Sequence, residues 1–561
     1  MNTNEIVSKL WNLCNVLRDD GISYQDYVTE LASLLFIKMC DELEDKQSLL
    51  PQGMRWPDLK AKNGIEQLNF YRRMLVELGE DEHRMVRAIF ANVNTHITKP
   101  KHLEELITGM DKLNWYGSNR EDFGDMYEGL LEKNAGETKS GAGQYFTPRP
   151  LIDCMTLLLQ PQAGEVIQDP ASGTAGFLIS ADRFIKHQTD DLEDLPTNAQ
   201  EFQQRRAFNG IELVPGTRRL ALMNCLLHDI EGPIDSEGPI KLGNTLSSDG
   251  EDLAPANVIL TNPPFGSARG AGVSREFVHS TQNKQLAFMQ HIYTNLKPGG
   301  RAAVVIPDNV LFEGNVGTSI RQDLMDKCNL HTILRLPTGI FYAQGVKTNV
   351  LFFQKGTPDN PNQDIDCTKE TWVFDMRTNM QSFGKTRPLT AKHFDAFISA
   401  YGEDANGQSL RSEGVFETLG AQFIDSDNFA EQLQAAITAA KEKVQSDSAD
   451  SDNSESFDEA AFIKEYQSNH ARFKKFSRDY IREQKGDSLD ISWLKDLEAV
   501  SSENLPEPEV LAGEAMAELT EAMSEIYQLM QSLGADDEAE GQKQLLEAAF
   551  GLTEAKQPEA Q

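Results

Sequence analysis

The chain has 561 residues, 39% of them hydrophobic and 25% charged, with a net charge of −34. That length exceeds one compact core, so two to four domains are expected, and no apolar run approaches the ~18 residues of a membrane span. About −22 of the charge lies beyond residue 360, so the chain should not grip DNA strongly by itself; if DNA is its substrate, a basic partner must help.

The start, MNTNEIVSKLWNLCNV, lacks the basic stretch, apolar run and small-residue cleavage site of a secretory leader. The six cysteines are far apart, with no CxxC or CxxxC pair. Both features read as a reduced, cytoplasmic protein with neither a disulfide framework nor a zinc site.

In chain order, EIVSKLWNLCNVLRD and SYQDYVTELASLLFIKMCDEL repeat apolar residues every three to four positions and predict helices, with Ser23 capping the second. EDFGDMYEGLLEKNA predicts a last helix before the glycine-rich break SGAGQ at 140–144. Strands are then expected at EVIQDP, AFNGIEL, PIKLGNTL, ANVILTN and RAAVVIP. Helices are expected between them at GTAGFLISADRFIKH, VPGTRRLALMNCLLHDI and NKQLAFMQHIYTNLK. HTILRLP and TNVLFFQKG follow as a terminal antiparallel pair. This alternation predicts an α/β fold, a doubly wound and mainly parallel sheet, with ligands bound at the edge where the strands end. Beyond 360 helical blocks are expected at 421–445, 458–484, 509–533 and 541–557, with an acidic linker, SDSADSDNSESFDEA, at 446–460. The expected division is a helical domain at 1–135, the α/β domain at 136–360 and a mostly helical region at 361–561.

Four strand ends carry the chemistry. In QDPASGTAGFL, Asp169 ends a strand, and a turn containing Gly173 and Gly176 leads into a helix N-terminus that offers amide donors. The pattern is D-P-x-x-G-x-x-G, not the GxGxxG of dinucleotide folds, and no GxxxxGK[ST] phosphate loop occurs. Glu212 ends the second strand, where an acid can hold a ribose diol; taken alone, a carboxylate there is more often a surface one. Asn244, in GNTL after the third strand, can pair with an adenine edge or simply make a turn. VILTNPPFGSA brings the fourth strand to Asn262, Pro263, Pro264 and Phe265. The prolines fix the backbone and leave carbonyls free. An Asn oxygen and the Pro263 carbonyl could accept both hydrogens of one amino group lying on the Phe265 ring. Upstream, GQYFTPRP precedes a helix that leads to the first strand, so its aromatics and hydroxyl can close over a ligand, or Thr147 and Pro148 serve as an ordinary helix start.

QYFTPRP, DPASGTAGFL, GIEL and TNPPFG, in that order, resemble the adenine-N6 DNA methyltransferases that use S-adenosyl-L-methionine. More closely, the chain resembles the methyltransferase (M) subunit of type I restriction-modification systems, through ELVPGTRRLALMNCLLHDI, NKQLAFMQHI, PDNVLFEG and LRLPTGIFYAQGVKTNVLFF. The likeness is clear over roughly residues 1–360. It implies the class I methyltransferase sheet at 136–360 and roles residue by residue. Gln144, Tyr145, Phe146, Thr147, Pro148 and Arg149 would contact the methionine portion of the cofactor. Asp169, Gly173, Thr174, Ala175 and Gly176 would lie beneath it, Glu212 would take the ribose, and Asn244 would sit near its adenine, where many relatives carry Asp. Asn262, Pro263, Pro264 and Phe265 would hold a target adenine flipped from the duplex. The resemblance further implies a specificity (S) subunit that sets the DNA site, two M with one S, and a motor and restriction (R) subunit. The region 361–561 would then supply contacts to the S subunit or DNA, the basic cluster HARFKKFSRDYIR at 470–482 being one candidate and otherwise a solvated helix face. NPP motifs also occur in enzymes that methylate protein glutamine or RNA bases, and a cofactor-binding scaffold without catalysis is the third reading.

Overall fold

A computed structural model of the chain describes residues 3–18, 24–43, 46–113, 124–131, 147–265, 272–341, 346–384, 387–416, 418–421, 433–441 and 458–494. The chain divides into two compact units, Met1–Lys495 and Asp496–Gln561. All of the second, and with it the helical blocks expected at 509–533 and 541–557, lies outside the described residues. No helix among the described residues is long and apolar enough to cross a membrane.

The N-terminal helices are α1 (Thr3–Arg18), α2 (Tyr24–Glu42), α3 (Trp56–Lys60), α4 (Gly64–Leu78), α5 (Arg84–Phe90) and α6 (Pro100–Asp111), followed by α7 at 124–131. Ser23, SGAGQ and most of the acidic linker lie outside the described residues. Helix α6 packs on α1 and α4, and its Leu103, Leu106, Ile107 and Met110, spaced three and four apart, are all buried.

Among the described residues, the strands form one nine-stranded sheet. Its strands are β1 (Ile167–Asp169), β2 (Phe208–Glu212), β3 (Ile240–Leu242), β4 (Ala256–Thr261), β5 (Leu296–Pro307), β6 (Cys328–Arg335), β7 (Thr348–Lys355), β8 (Glu370–Asp375) and β9 (Phe473–Ser477). They lie in the order β3-β2-β1-β4-β5-β7-β6-β8-β9. The first five pair in parallel, and β7 runs antiparallel between β5 and β6. Helices α8 (Arg149–Leu159), α9 (Gly176–Gln188), α10 (Thr197–Arg205), α11 (Pro215–Leu227), α12 (Lys284–Asn295), α13 (Asp308–Phe312) and α14 (Val316–Lys327) connect them. Beyond these come α15 (Asp395–Tyr401), α16 at 433–441, α17 (Glu459–His470) and α18 (Arg478–Glu483).

Both faces of the sheet are covered, and the strands alternate between two cores as their two-residue period requires. Val258, Leu260, Ala303, Val305, Val350 and Phe352 join the core shared with the N-terminal helices. Ile259, Ala302, Val304, Ile306, Leu351 and Phe353 join a second core with α12 and α14. The N-terminal helices are thus built into the same core as the sheet. A buried ion pair between Lys46 and Asp229, just beyond α11, ties them further.

Arg301 of β5 fixes α8. Its Nε donates to the Leu159 carbonyl at 2.6 Å, and its two terminal nitrogens bond Glu165 at 2.7 and 2.8 Å. This planar fork holds the C-terminal end of α8 against the sheet, so the opposite end of the helix reaches the edge where the strands terminate.

Past residue 360 the sequence reading needs correction. HTILRLP and TNVLFFQKG are antiparallel, but they do not end the sheet, because β8 adds parallel to β6 and β9 antiparallel to β8. Residues 458–484 are not one helical block: strand β9 interrupts them between α17 and α18. The basic cluster there is largely committed within the chain. The Arg472 guanidinium is buried on the carbonyls of Asp375 and Thr378, Arg478 pairs with Asp487 at 2.5 Å, and Lys475 pairs with Glu370 at 3.0 Å.

Phe473 explains why β9 docks. It is fully buried, stacks on Trp372 at 4.7 Å, and meets Phe374 and Phe416. Phe473→Ala is expected to destabilise the chain by about 3–5 kcal/mol, read from denaturant or thermal unfolding. A loss near zero would show that β9 contributes nothing to the sheet's edge.

Candidate active site

The strand order reverses between β1 and β4, and open α/β sheets take ligands in the crevice beyond the strand ends at that point. Asp169 ends β1, Glu212 ends β2, Asn244 follows β3 and Asn262 follows β4. All four therefore stand along one edge.

The β1 side is a tight turn pressed against β2. Asp169 is fully buried; its Oδ1 accepts from the Ala171 N–H at 3.0 Å and from the Thr261 hydroxyl at 2.7 Å. Its Oδ2 is buried with no partner among the described residues. The Ser172 hydroxyl donates to the Asp169 carbonyl at 2.8 Å. Gly210 of β2 pairs with Asp169, and a Cβ there would stand 2.1 Å from Ser172 Oγ and 2.5 Å from the Asp169 carbonyl oxygen. Only glycine lets the turn settle this close. Gly173 has φ +53 with open space beside it, and Ala175 holds φ 68 at the start of α9. Alanine in this left-handed region costs about 1–2 kcal/mol. Its surroundings enforce it: the Ala175 N–H donates to the Ser172 carbonyl at 2.7 Å, and Asn224 Nδ2 donates to the Thr174 carbonyl at 3.1 Å. Gly176 opens α9.

Glu212 spans the two turns. Its Oε2 accepts from the Gly173 N–H at 3.0 Å and its Oε1 from the Val214 N–H at 2.8 Å. Burial pushes its carboxyl up, while these N–H donors pull it down. Each oxygen keeps acceptor capacity for a hydroxyl. Asn244 uses its amide locally: Oδ1 accepts from the Leu246 N–H at 3.0 Å and Nδ2 donates to the Gly272 carbonyl at 3.1 Å. The next residue reaches further, since the Thr245 hydroxyl donates to the Pro170 carbonyl at 2.5 Å and joins this turn to the first.

On the β4 side, Asn262 Nδ2 donates to the Thr147 hydroxyl at 2.9 Å. Asn262 Oδ1 is buried with no partner among the described residues. Pro263 is buried, Pro264 exposed, and Phe265 buried with its ring edge-on to Phe341, centroids 5.5 Å apart at 88°. Thr147 and Pro148 lead into α8, bringing QYFTPRP to the NPPF turn; Gln144, Tyr145 and Phe146 lie outside the described residues. The Arg149 guanidinium turns to Glu128 of α7 and to Asp153, which it meets at 3.1 Å.

Several of these contacts carried no signal in the sequence. Thr261, Gly210, Asn224 and Glu128 sit inside ordinary strand or helix patterns, and tertiary packing alone brings them to the crevice. Phe341 lies in TGIFYAQGVK, where an aromatic between two strands at the ligand edge was the available hint.

Residues 118–445 match the N-6 DNA methylase family, residues 6–110 the HsdM N-terminal domain, and residues 505–548 the C-terminal domain of type I restriction enzyme methylase subunits. The chain is 60% identical to the type I restriction enzyme EcoKI methylase subunit of Escherichia coli K12, over 98% of this chain and 99% of that one. It is also 60% identical to the StySPI methylase subunit of Salmonella potsdam, over 99% and 100%. The crystal structure of the EcoKI M protein, 55% identical, aligns with a TM-score of 0.55 over 97% of this chain and 100% of that one. A chain from a type I R-M system solved for its complex assembly and conformational transition, 24% identical, shares the fold with a TM-score of 0.62 over 95% and 99%.

The Asp169 carboxyl is pushed up to about 7, first by burial and further by the Glu212 charge, against the pull of Thr261 and Ala171. An unfolded Asp loses its proton near ~3.9. Folding therefore takes up a proton between those values, and stability falls as pH rises through that window. Asp169→Asn, the neutral isostere, is expected to gain on the wild type by more than about 1 kcal/mol between pH 5 and pH 7. Parallel unfolding curves for the two proteins across that range would refute it.

Proposed function

Because the chain belongs to the family of type I restriction enzyme methylase subunits, N-6 DNA methylases through its central region, we propose that its crevice holds S-adenosyl-L-methionine beside an adenine flipped out of duplex DNA. The chain is an adenine-specific DNA methyltransferase, the modification subunit of a restriction-modification complex. One observation carries the assignment of the chemistry to this site: Asn262 Oδ1 is a buried acceptor left without a partner at the end of β4.

The residues present fit the cofactor. Gly173 leaves open space at the turn, Glu212 retains acceptor capacity at the end of β2, and Asp169 Oδ2 is an unpartnered acceptor beside them. Asp169, Gly173, Thr174, Ala175 and Gly176 would form its floor and Glu212 would take the ribose hydroxyls, with Thr147 and Pro148 closing from α8. When bound, the cofactor supplies an electrophilic methyl group carried on sulfur.

The chain's part in the transfer is to hold the amine. Asn262 Oδ1 and the Pro263 carbonyl accept the two N–H bonds of the adenine amino group. Accepting both favours the tetrahedral nitrogen and stabilises positive charge as it develops there. The Thr147 hydroxyl fixes the other end of the Asn262 amide, so its oxygen needs no reorientation during the reaction. Phe265, braced by Phe341, gives the purine a flat surface. Proximity and alignment then supply much of the rate, and the base must leave the duplex to reach the crevice.

The charge of the chain supports a division of labour. With a net charge of −34 and its basic cluster paired internally, it depends on an S subunit for DNA affinity and site choice. We place it in an assembly of two M with one S, joined by the R subunit for restriction, with 361–561 supplying partner contacts.

The test is transfer of labelled methyl groups to adenine in duplex DNA by the chain with its S subunit. Asn262→Ala is expected to lose at least about 10²-fold in rate while still binding the cofactor in a direct titration. Wild-type transfer by that variant, or label found in RNA or protein instead of DNA, would overturn the reading.

A further inference from the structure

The two halves of the crevice share a support that the reaction itself does not use. Glu128 lies on α7, behind the strand ends, with its side chain only 13% exposed. It pairs with Arg149, the first residue of α8, and lies 3.7 Å from Arg183 of α9. It also accepts from Asn224 Nδ2 of α11 at 3.4 Å. That same Nδ2 donates to the Thr174 carbonyl at 3.1 Å, so the orientation of the Asn224 amide is set by two acceptors. Asp125, one turn earlier on α7, bonds Arg183 at 2.6 and 3.3 Å. Helix α7 is thereby fastened to α8, α9 and α11 at once.

Two paths leave Glu128. One runs through Asn224 to the Thr174 carbonyl, in the turn between left-handed Gly173 and Ala175. The other runs through Arg149 along two residues of backbone to Thr147, whose hydroxyl accepts from Asn262. A buried carboxylate with charged and amide partners is held firmly, since releasing any partner leaves a desolvated charge.

We infer that Glu128 is a positioning residue that sets the cofactor turn through Asn224 and the Asn262 amide through Arg149, and so fixes the distance between methyl donor and acceptor. This rests on the reading of the crevice given above. Misplacement of about 1 Å from a remote change can cost on the order of 10²-fold in rate. Severing each path separately therefore produces different defects.

The experiment uses the chain in complex with its S subunit. Dissociation of S-adenosyl-L-methionine is measured by titration, and the methyl-transfer rate by single turnover at saturating cofactor. Asn224→Ala cuts the first path; cofactor binding weakens by about tenfold or more while the saturated rate stays within about threefold. Arg149→Met cuts the second; the saturated rate, measured with cofactor in excess of any loss of affinity, falls by about tenfold or more. Glu128→Gln, which sets an amide N–H against a guanidinium, does both. Combining it with Asn224→Ala adds little to the cofactor defect, because both lie on one path. Melting curves report the folded fraction of each variant. The inference is overturned if Glu128→Gln binds and transfers as the wild type does, or loses both only in proportion to lost folded protein. Should that variant not fold, equal effects of Asn224→Ala and Arg149→Met on both quantities overturn it as well. Absence of adenine methylation by the wild-type complex would instead sink the reading on which the inference rests.

Discussion

A carboxamide oxygen shut away from water without a hydrogen bond costs a protein about 1–3 kcal/mol, and the end of β4 keeps one. The Asn262 amide is tied at its nitrogen to Thr147 and left open at its oxygen. The open oxygen is the acceptor that the proposed adenine amine would meet. Pro263 has no N–H to compete for it, and Phe265 in the same turn is buried. The rest of the edge serves the same end. The reversal of strand order sets the Asp169 turn next to Asn262, and the Thr261 hydroxyl binds the last residue of β1 to the last of β4. The turns after β1 and β4, where the cofactor and the acceptor base are proposed to meet, are held by adjacent strands and cannot drift apart without breaking the sheet.

Rigidity here comes from polar groups as much as from packing. Glu212 bridges the turns after β1 and β2, Thr245 bridges those after β3 and β1, and Arg301 locks α8 from its far end. Each bridge uses a group that burial would penalise if it were unpaired. Among the described residues, the buried polar atoms without a partner include two at the crevice, Asp169 Oδ2 and Asn262 Oδ1. Elsewhere the N-terminal helices share the sheet's core, which seats α7 beside α8, α9 and α11.

The parts of this legible in the sequence were those encoded locally. An apolar run stopped by D-P, G-I-E, G-N or N-P-P marks a strand end, and short parallel strands in alternation dictate the doubly wound sheet. The sequence alone places Asp169, Glu212 and Asn262 on one edge. What stayed hidden was decided by tertiary contact. Glu128 and Asn224 occupy unremarkable helix positions, and their meaning lies in which helices meet. In β9, Phe473 and Phe476 flank two lysines, a three-residue spacing that mimics a helix. The strand forms because its aromatic finds Trp372, and it tolerates the lysines because it is the outermost strand, where charge discourages further pairing. Arg472 and Arg478 looked like a solvated or DNA-facing patch; burial on carbonyls and against Asp487 made them struts.

The sheet's last strand also sets a schedule for synthesis. Strand β8 is complete at Asp375, but its partner begins only at Phe473. At a translation rate of ~5–20 residues per second, the outer edge of β8 waits unpaired for roughly 5–20 s while the intervening chain leaves the ribosome. Bare strand edges invite neighbouring nascent chains to add on. The acidic run SDSADSDNSESFDEA emerges within that interval and adds net charge that favours solubility of the partly made chain until β9 arrives to seal the edge.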